Sequence, residues 1–220
     1  MATPTIFRQY IDVLNRLDEL GTHIDFLIEA AHAGVAAANE CTDNDPLGAR
    51  GWRRWQMATR RLRETHIGYE DWRADNTNQI PSVVEISRNV RIIVYNTDEG
   101  TCTIGKEPKN KLKKGSGTDQ IVEINQYNLF PEPEKFIRVV DFSLRGKYIA
   151  PLITYALCVF HEDDDVRAEL SCVIETADGF FEGFSERIFL FGGDFGGGVP
   201  VKKKHSGNES EFDIPVVRKK

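Results

Sequence analysis

The first forty residues of the chain carry its most regular hydrophobic pattern. Apolar or small residues recur there in alternating steps of four and three, the heptad spacing of a helix that buries one face. A second apolar stripe at sevenfold spacing, from Phe7 to Val35, makes this face wider than a two-stranded coiled coil requires. A wide face favours burial in a helical bundle, within one chain or between copies. We expect it to be an oligomer or docking face, whose residues are Ile6, Tyr10, Val13, Leu17, Leu20, Ile24 and Leu27.

A second helix is predicted to begin at about residue 47 or 51 and to end at Thr65, after a polar break. At 100° per residue, tryptophan and apolar side chains share one side of this helix, whereas arginines share the other. The arginines are Arg50, Arg53, Arg54, Arg60 and Arg61. They either pair with acids of the first helix, such as Asp12, Asp18 and Glu19, or bind phosphate groups or an acidic partner.

The period of the pattern changes after residue 90, from that of a helix to that of strands. The run VRIIVY at 90–95 is β-branched, and residues 166–175 alternate cleanly between apolar and polar. Turns are predicted at 162–165 and 177–179, and short helices at 82–87 and before residue 129. The strands are predicted at 90–95, 136–143, 152–161, 166–175 and 186–191.

Together these elements predict an α+β protein of three parts. Residues 1–75 form an N-terminal helical hairpin or bundle arm, and residues 76–195 form an α+β domain whose antiparallel sheet has about five strands and carries a short helix. Residues 196–220 are glycine-rich and charged, which predicts a disordered, flexible basic tail.

Composition excludes several classes of protein. Hydrophobic residues make up 40% and charged residues 28% of the 220, which fits neither a disordered nor a membrane protein. The N-terminus lacks the basic and apolar regions of a signal peptide, so we expect a cytoplasmic protein. The four cysteines form no CxxC pair, and we expect reduced thiols, with Cys158 and Cys172 in the core. The net charge of −6 means that any contact with nucleic acid has to be local.

A loop rich in lysine and glycine precedes the predicted helix that ends near residue 129. Its amide groups and the start of that helix could hold an anion, although the order of residues is not that of a Walker A loop. The anion-binding candidates in this segment are Lys111, Lys113, Lys114 and Thr118. Alternatively, Thr118 or Asp119 caps the helix and the loop is only a connection.

Two sets of acidic residues suggest metal chemistry. Asp141 and Glu169 lie on separate predicted strands and could share Mg²⁺, the arrangement of a phosphodiester hydrolase. However, Ser171 stands where a nuclease motif has its lysine, and strand alternation alone puts Glu169 on a polar face. The run from His161 to Asp165 could bind a divalent cation, but a hairpin tip normally collects solvated charge.

These observations favour a non-enzymatic interaction module. It is expected to oligomerise or dock through its N-terminal helices, and to contact an acidic partner, including nucleic acid, through the arginines and the lysine loop. This interpretation assigns no catalytic residue, no metal, no membrane contact and no cofactor. The alternative is a Mg²⁺-dependent, nuclease-like hydrolase that uses Asp141 and Glu169.

Overall fold

The computed structural model describes residues 3–129 and 152–196, which form four helices and one seven-stranded sheet. The predicted strand at 136–143 and the predicted tail after residue 196 lie outside these residues. In chain order the elements are β1 (Thr5–Phe7), α1 (Tyr10–Glu19), α2 (Ile24–Asn39), α3 (Ala49–His66), β2 (Trp72–Asp75), a 3₁₀ turn (Thr77–Gln79), β3 (Ser82–Glu85), β4 (Val90–Asn96), α4 (Ser116–Leu129), β5 (Ile153–Glu162), β6 (Asp165–Ala177) and β7 (Phe180–Phe191).

The sheet is mixed, with the strand order β1-β7-β6-β5-β4-β3-β2. Strands β4 and β5 pair in parallel, as do β1 and β7, and the other neighbours are antiparallel. The predicted α+β class is confirmed, but the sheet has seven strands in the described residues instead of about five, and two of its six neighbouring pairs are parallel. Parallel neighbours need a long crossover, and α4 lies within the crossover that joins β4 to β5.

The predicted long N-terminal helix is two helices separated at Gly21. Gly21 has a φ of 72°, the left-handed conformation that closes a helix. Its N–H donates to the carbonyl of Asp18, and the next N–H, of Thr22, donates to the carbonyl of Leu17. This pair of bonds is a Schellman motif, so α1 ends there and α2 turns away from it.

The apolar face of α1 and α2 lies on the chain's own sheet. Val13, Leu17, Leu20, Ile24 and Leu27 are all buried in one cluster with side chains of β4, β5, β6 and β7. Tyr10 is half-buried against the same cluster, and Ile6 belongs to β1. The predicted arm is thus a helical layer covering the sheet, and its apolar face is not available to a partner. The expected boundary at residue 75 falls within the same fold, because β2 ends there and belongs to the sheet.

Helices α2 and α3 pack closely because small residues line their contact. A methyl group added at Gly34 would lie 2.6 Å from the carbonyl oxygen of Arg54 and 2.9 Å from the Cβ of Ala58. Ala30, Ala31 and Ala38 of α2 are also buried. This close approach fixes the position of α3, which carries most of the candidate binding residues.

The segment predicted as a short helix at 82–87 is strand β3 instead. Val83 and Val84 are both buried, since successive residues of a central strand face opposite sides of the sheet. A run this short shows no period that separates a strand from a buried helix. The predictions of β4, of α3 and of the turns at 162–165 and 177–179 are confirmed.

The other face of the sheet is covered by α4 and by the loop between β4 and α4. Ile121 and Val122 of α4 pack on Ala156, Val173 and neighbouring residues of the sheet. All four cysteines are buried and unpaired, as expected for core thiols. None of the helices in the described ranges is long and apolar enough to cross a bilayer.

Candidate functional site

Asn96, the last residue of β4, joins two cationic segments that are far apart in the sequence. Its side-chain amide donates to the carbonyl of Gly51 at 2.7 Å, and its Oδ1 accepts from Arg54 Nε at 2.9 Å. Its backbone carbonyl accepts from the N–H of Lys111 at 3.0 Å. The start of α3 and the lysine loop therefore meet at the carboxyl ends of the parallel strands β4 and β5. In open α/β sheets this end of the strands is where ligands commonly bind.

We call this surface the cationic edge, formed by Arg50, Arg54, Lys111 and His161. Arg50 and Lys111 are exposed there. Within the described residues, the Arg50 guanidinium contacts the carbonyl of Cys41 at 3.5 Å, and the Lys111 ammonium lies 5.6 Å from the centre of the Phe160 ring. Both cations can thus approach an anion without leaving a buried ion pair.

Arg54 has a structural part in this edge, contrary to its prediction as a surface anion ligand. Only 5% of the residue is exposed, and Nη1 donates to the carbonyl of His161 at 3.2 Å. Burial lowers the pKa of Arg54 from its usual high value, but an arginine remains charged at neutral pH. Arg54 therefore connects α3 to the ends of β4 and β5, and its buried charge adds to the positive potential of the cationic edge.

His161 is the titratable member of the cationic edge. Its pKa is lowered, first by burial and then by the charge of Arg54, with smaller effects of Arg50 and Lys111. Its Nε2 lies 3.1 Å from the carbonyl oxygen of Asp163. At pH 7 the imidazole is neutral, so the permanent charge of the edge comes from the arginines and the lysine.

The other predicted arginines form ion pairs on the surface. Arg53 pairs with Glu40 at 2.6 Å, whereas Arg60 and Arg61 share Glu64 at 2.7 and 3.3 Å. Glu40 closes α2, so the Arg53 pair fits the predicted pairing with acids of the first helical region, although not with Asp12, Asp18 or Glu19. Arg60 and Arg61 pair within α3 instead. Solvent screens surface pairs of this kind and makes them weak, so a phosphate can compete for these arginines.

The lysine loop is held in place by the turn between β6 and β7. The N–H of Lys114 donates to the carbonyl of Gly179 at 2.9 Å, and Lys113 is exposed. The Lys114 ammonium lies over the Tyr95 ring, 4.8 Å from its centre, and burial lowers the pKa of that amine. Lys113 is therefore open to an anion, and Lys114 is partly committed to the protein.

Thr118 is a core residue and not an anion ligand. It is buried in the first turn of α4, where its hydroxyl lies 3.2 Å from the hydroxyl of Tyr95. The alternative in which Thr118 has a structural role is thus closer to what is found, although Thr118 lies within the first turn of the helix and is not its cap.

Glu169, proposed as a metal ligand, is a fully buried partner of Arg187. Its Oε1 accepts from Ser171 Oγ at 2.7 Å and from Arg187 Nε at 2.8 Å. Its Oε2 accepts from Arg187 Nη2 at 2.7 Å and from the N–H of Cys102. A metal ion would have to displace these donors, so Glu169 is not an open ligand. Asp141 lies outside the described residues.

Arg187 is a buried charged residue that the hydrophobic and charge patterns of the sequence do not single out. Besides Glu169, its guanidinium donates to three carbonyls of the loop after β4, those of Gly100 at 2.9 Å, Thr103 at 3.1 Å and Lys106 at 2.9 Å. The available signal was an arginine within an apolar strand, ERIFLF, which indicates a buried partner. This pair explains why the polar face of β6 is buried and not solvated.

A second polar cluster lies in a cleft of about 580 Å³ between α1 and the sheet. The Arg16 guanidinium contacts both carboxylate oxygens of Glu186 at 2.9 Å and the hydroxyl of Tyr155 at 3.1 Å. Burial and the charge of Glu186 raise the pKa of Tyr155. Asp12 and Glu19 also line the cleft, so it is acidic and disfavours a polyanion.

In the described part of the chain, no three or more His, Cys, Asp or Glu side chains are grouped so that they could hold a metal ion. Neither a protein-family model nor a curated protein nor a solved structure matches this chain. What this protein does therefore has to be inferred from the geometry of the cationic edge and its surroundings.

Proposed function

We propose that this protein is a non-enzymatic binding module whose acidic partner is nucleic acid. It contacts this partner through the cationic edge and through the surface arginines of α3, which are Arg53, Arg60 and Arg61. The observation that carries the proposal is the junction at Asn96. It brings Arg50 and Lys111 to one surface through hydrogen bonds to Gly51, Arg54 and the lysine loop.

The chemistry of this surface suits a phosphate backbone. Arginine offers a fork of donors to phosphate oxygens, and lysine adds a mobile point charge. The protein as a whole is acidic, with a net charge of −6, so it would repel a polyanion at most other places. A local cationic surface on an acidic protein orients the partner as well as attracting it.

Self-association through the apolar face of α1 and α2 is not part of this proposal. Leu17 and Leu27 of that face are buried under the helical layer and would have to leave the core to meet another chain. The surface proposed for binding is instead exposed, and it consists of the cationic edge and the outward side of α3.

The proposal is tested by anisotropy of a short labelled oligonucleotide titrated with protein at several salt concentrations. The double variant Arg50→Gln with Lys111→Gln should weaken binding by about tenfold or more at low salt. It should also reduce the slope of log affinity against log salt by roughly 1.5, because each lost phosphate contact accounts for about 0.7 to 0.9.

The matched control is Arg8→Gln with Arg73→Gln, which removes the same charge from exposed positions beside β1 and on β2, the two edge strands. Equal losses in both double variants would show a general effect of charge and would overturn the proposed site. Failure of the wild-type protein to bind any oligonucleotide would overturn the proposed function itself.

A further inference from the structure

The flank of α3 that faces away from the cationic edge carries an apolar groove. Its volume is about 560 Å³, which lies within the range of small-ligand sites. It runs between α3 and Pro81, the residue before β3, and most of the surface that it exposes is apolar because the carbon atoms of its polar residues face it. The groove is lined by Trp55, Gln56, Thr59, Arg60, Arg63, Glu64, Ile67 and Pro81.

Trp52 extends the same flank by one helical turn. Residues 52, 55, 56, 59 and 63 follow the three- and four-residue spacing of one helix side, so Trp52 lies next to the groove. Trp52 is 57% exposed, an unusual state for the largest apolar side chain. Two indole rings, one exposed and one half-buried, thus lie on one side of α3 beside the groove, and we call this side the aromatic platform.

The charges around the platform select the kind of ligand. Helix α3 contains six arginines and one glutamate, and Arg53 and Arg60 lie on its outermost side, between the groove and the cationic edge. A second copy of the chain bound through this helix would place arginines against arginines. The surface therefore favours a ligand that combines flat apolar groups with negative charge.

We propose that the nucleic acid bound by this protein is single-stranded, with its bases stacked on Trp52 and Trp55 and its phosphates along Arg53 and Arg60. This inference depends on the proposed function and narrows it. In a duplex the faces of the bases are stacked on one another and cannot meet an indole ring, whereas an unpaired strand exposes them. The flexible strand can also cross the helix from the groove to the cationic edge.

The test compares a labelled oligothymidine with a duplex of equal length, by anisotropy at one salt concentration. The wild-type protein should bind the single strand at least tenfold more tightly. Trp52→Ala should weaken single-strand binding by roughly 5- to 150-fold, the range that corresponds to about 1 to 3 kcal/mol for a base that loses its aromatic partner. Trp52→Phe should keep most of the affinity, and neither variant should change binding to the duplex by more than about twofold.

The outcomes separate this inference from the proposed function. If Trp52→Ala leaves single-strand binding unchanged while the Arg50 and Lys111 double variant weakens it, the platform is wrong and the proposed function stands. If neither nucleic acid binds, both are wrong. Binding of an acidic amphipathic peptide, in place of either nucleic acid and sensitive to Trp52→Ala, would assign the groove to a protein partner and overturn this inference.

Discussion

The two faces of strands β6 and β7 are buried by different means, and consecutive residues of β7 show the contrast. Ile188 lies opposite Leu170 in the large apolar cluster, on the face of the sheet that α1, α2 and α3 cover, which we call the helix side. Arg187 points to the other side, where it pairs with Glu169 under the loop that follows β4. Both residues are buried, so burial alone does not tell the two faces apart.

The difference lies in how each face responds to loss of a group. An apolar cluster loses contacts in proportion to the atoms removed, because the remaining side chains still cover one another. A buried ion pair loses far more when one partner goes, since the other charge stays buried and uncompensated. The loop side of the sheet should therefore be the less tolerant one.

The largest expected effect comes from Arg187→Met. Glu169 would keep its buried carboxylate without the guanidinium that now binds both oxygens, at a cost of about 3 to 5 kcal/mol in the free energy of unfolding. Urea unfolding at pH 7 measures this loss. A loss below about 1 kcal/mol would contradict the proposed contrast between the faces.

A double variant, Glu169→Met with Arg187→Met, sharpens the same test. Replacement of a whole buried ion pair by apolar groups is often close to neutral. Here we expect only partial recovery, because Arg187 also binds the carbonyls of Gly100, Thr103 and Lys106. Full recovery would mean that the loop carbonyls gain nothing from Arg187.

His66 gives the next effect, on the helix side of the sheet. It is fully buried, its Nε2 lies 2.8 Å from the Thr22 hydroxyl, and burial lowers its pKa to about 4. The unfolded chain binds the proton near pH 6.5, before the folded chain does, so stability falls as the pH drops from about 6.5 to 4. The total loss from this residue is about 3 kcal/mol.

The measurement is urea unfolding of the wild-type protein and of His66→Gln at several pH values in that window. The variant should be the less stable protein at pH 7, and the gap should narrow steadily toward pH 4. A gap that stays constant with pH would show that His66 does not titrate at a lowered pKa. His66 is thus held neutral under the helical layer, whereas Glu169 and Arg187 are buried as a charged pair under the loop.

Gly34→Ala probes the tightest contact of the helical layer. The added methyl would meet the backbone of α3 at 2.6 Å, which should cost about 1 to 2 kcal/mol net of the better helix propensity of alanine. Gly51→Ala is the matched control, because the nearest atom there is 3.9 Å away. Thermal unfolding should show the control unchanged or stabilised by up to about 1 kcal/mol.

The smallest effect is expected for Ile188→Val, which removes one buried methyl group. Its cost should be about 1 kcal/mol, measured by urea unfolding beside Arg187→Met. A cost equal to that of Arg187→Met would show that both faces respond alike and would remove the contrast.

The local elements could be predicted from the sequence where one pattern dominates. The clean alternation of residues 166–175 predicted β6, and the two turns that flank it follow from their polar residues. The heptad seam identified the buried residues of α1 and α2 correctly, but a hydrophobic pattern does not say what covers it. The covering surface is the chain's own sheet, formed by residues far along the sequence.

The candidate site was predicted only in its parts. Charge and spacing made Arg50 and Lys111 candidates, but their meeting depends on Asn96, a residue with no pattern around it. The Glu169 carboxylate had the same signature as an exposed acid, because a covering loop leaves no trace in strand alternation. Long-range pairing decides these features, and a single sequence does not contain it in readable form.

The parallel pairing of β1 with β7 has a consequence for synthesis on the ribosome. Residue 5 pairs with residue 186, so the first strand waits for its neighbour while the intervening chain is made, for about 10 s or longer at usual rates of translation. Until β5, β6 and β7 emerge, the apolar faces of α1, α2 and α3 have no completed sheet to pack against. We expect the nascent chain to need chaperones that cover these surfaces during that interval, even though the finished fold buries them.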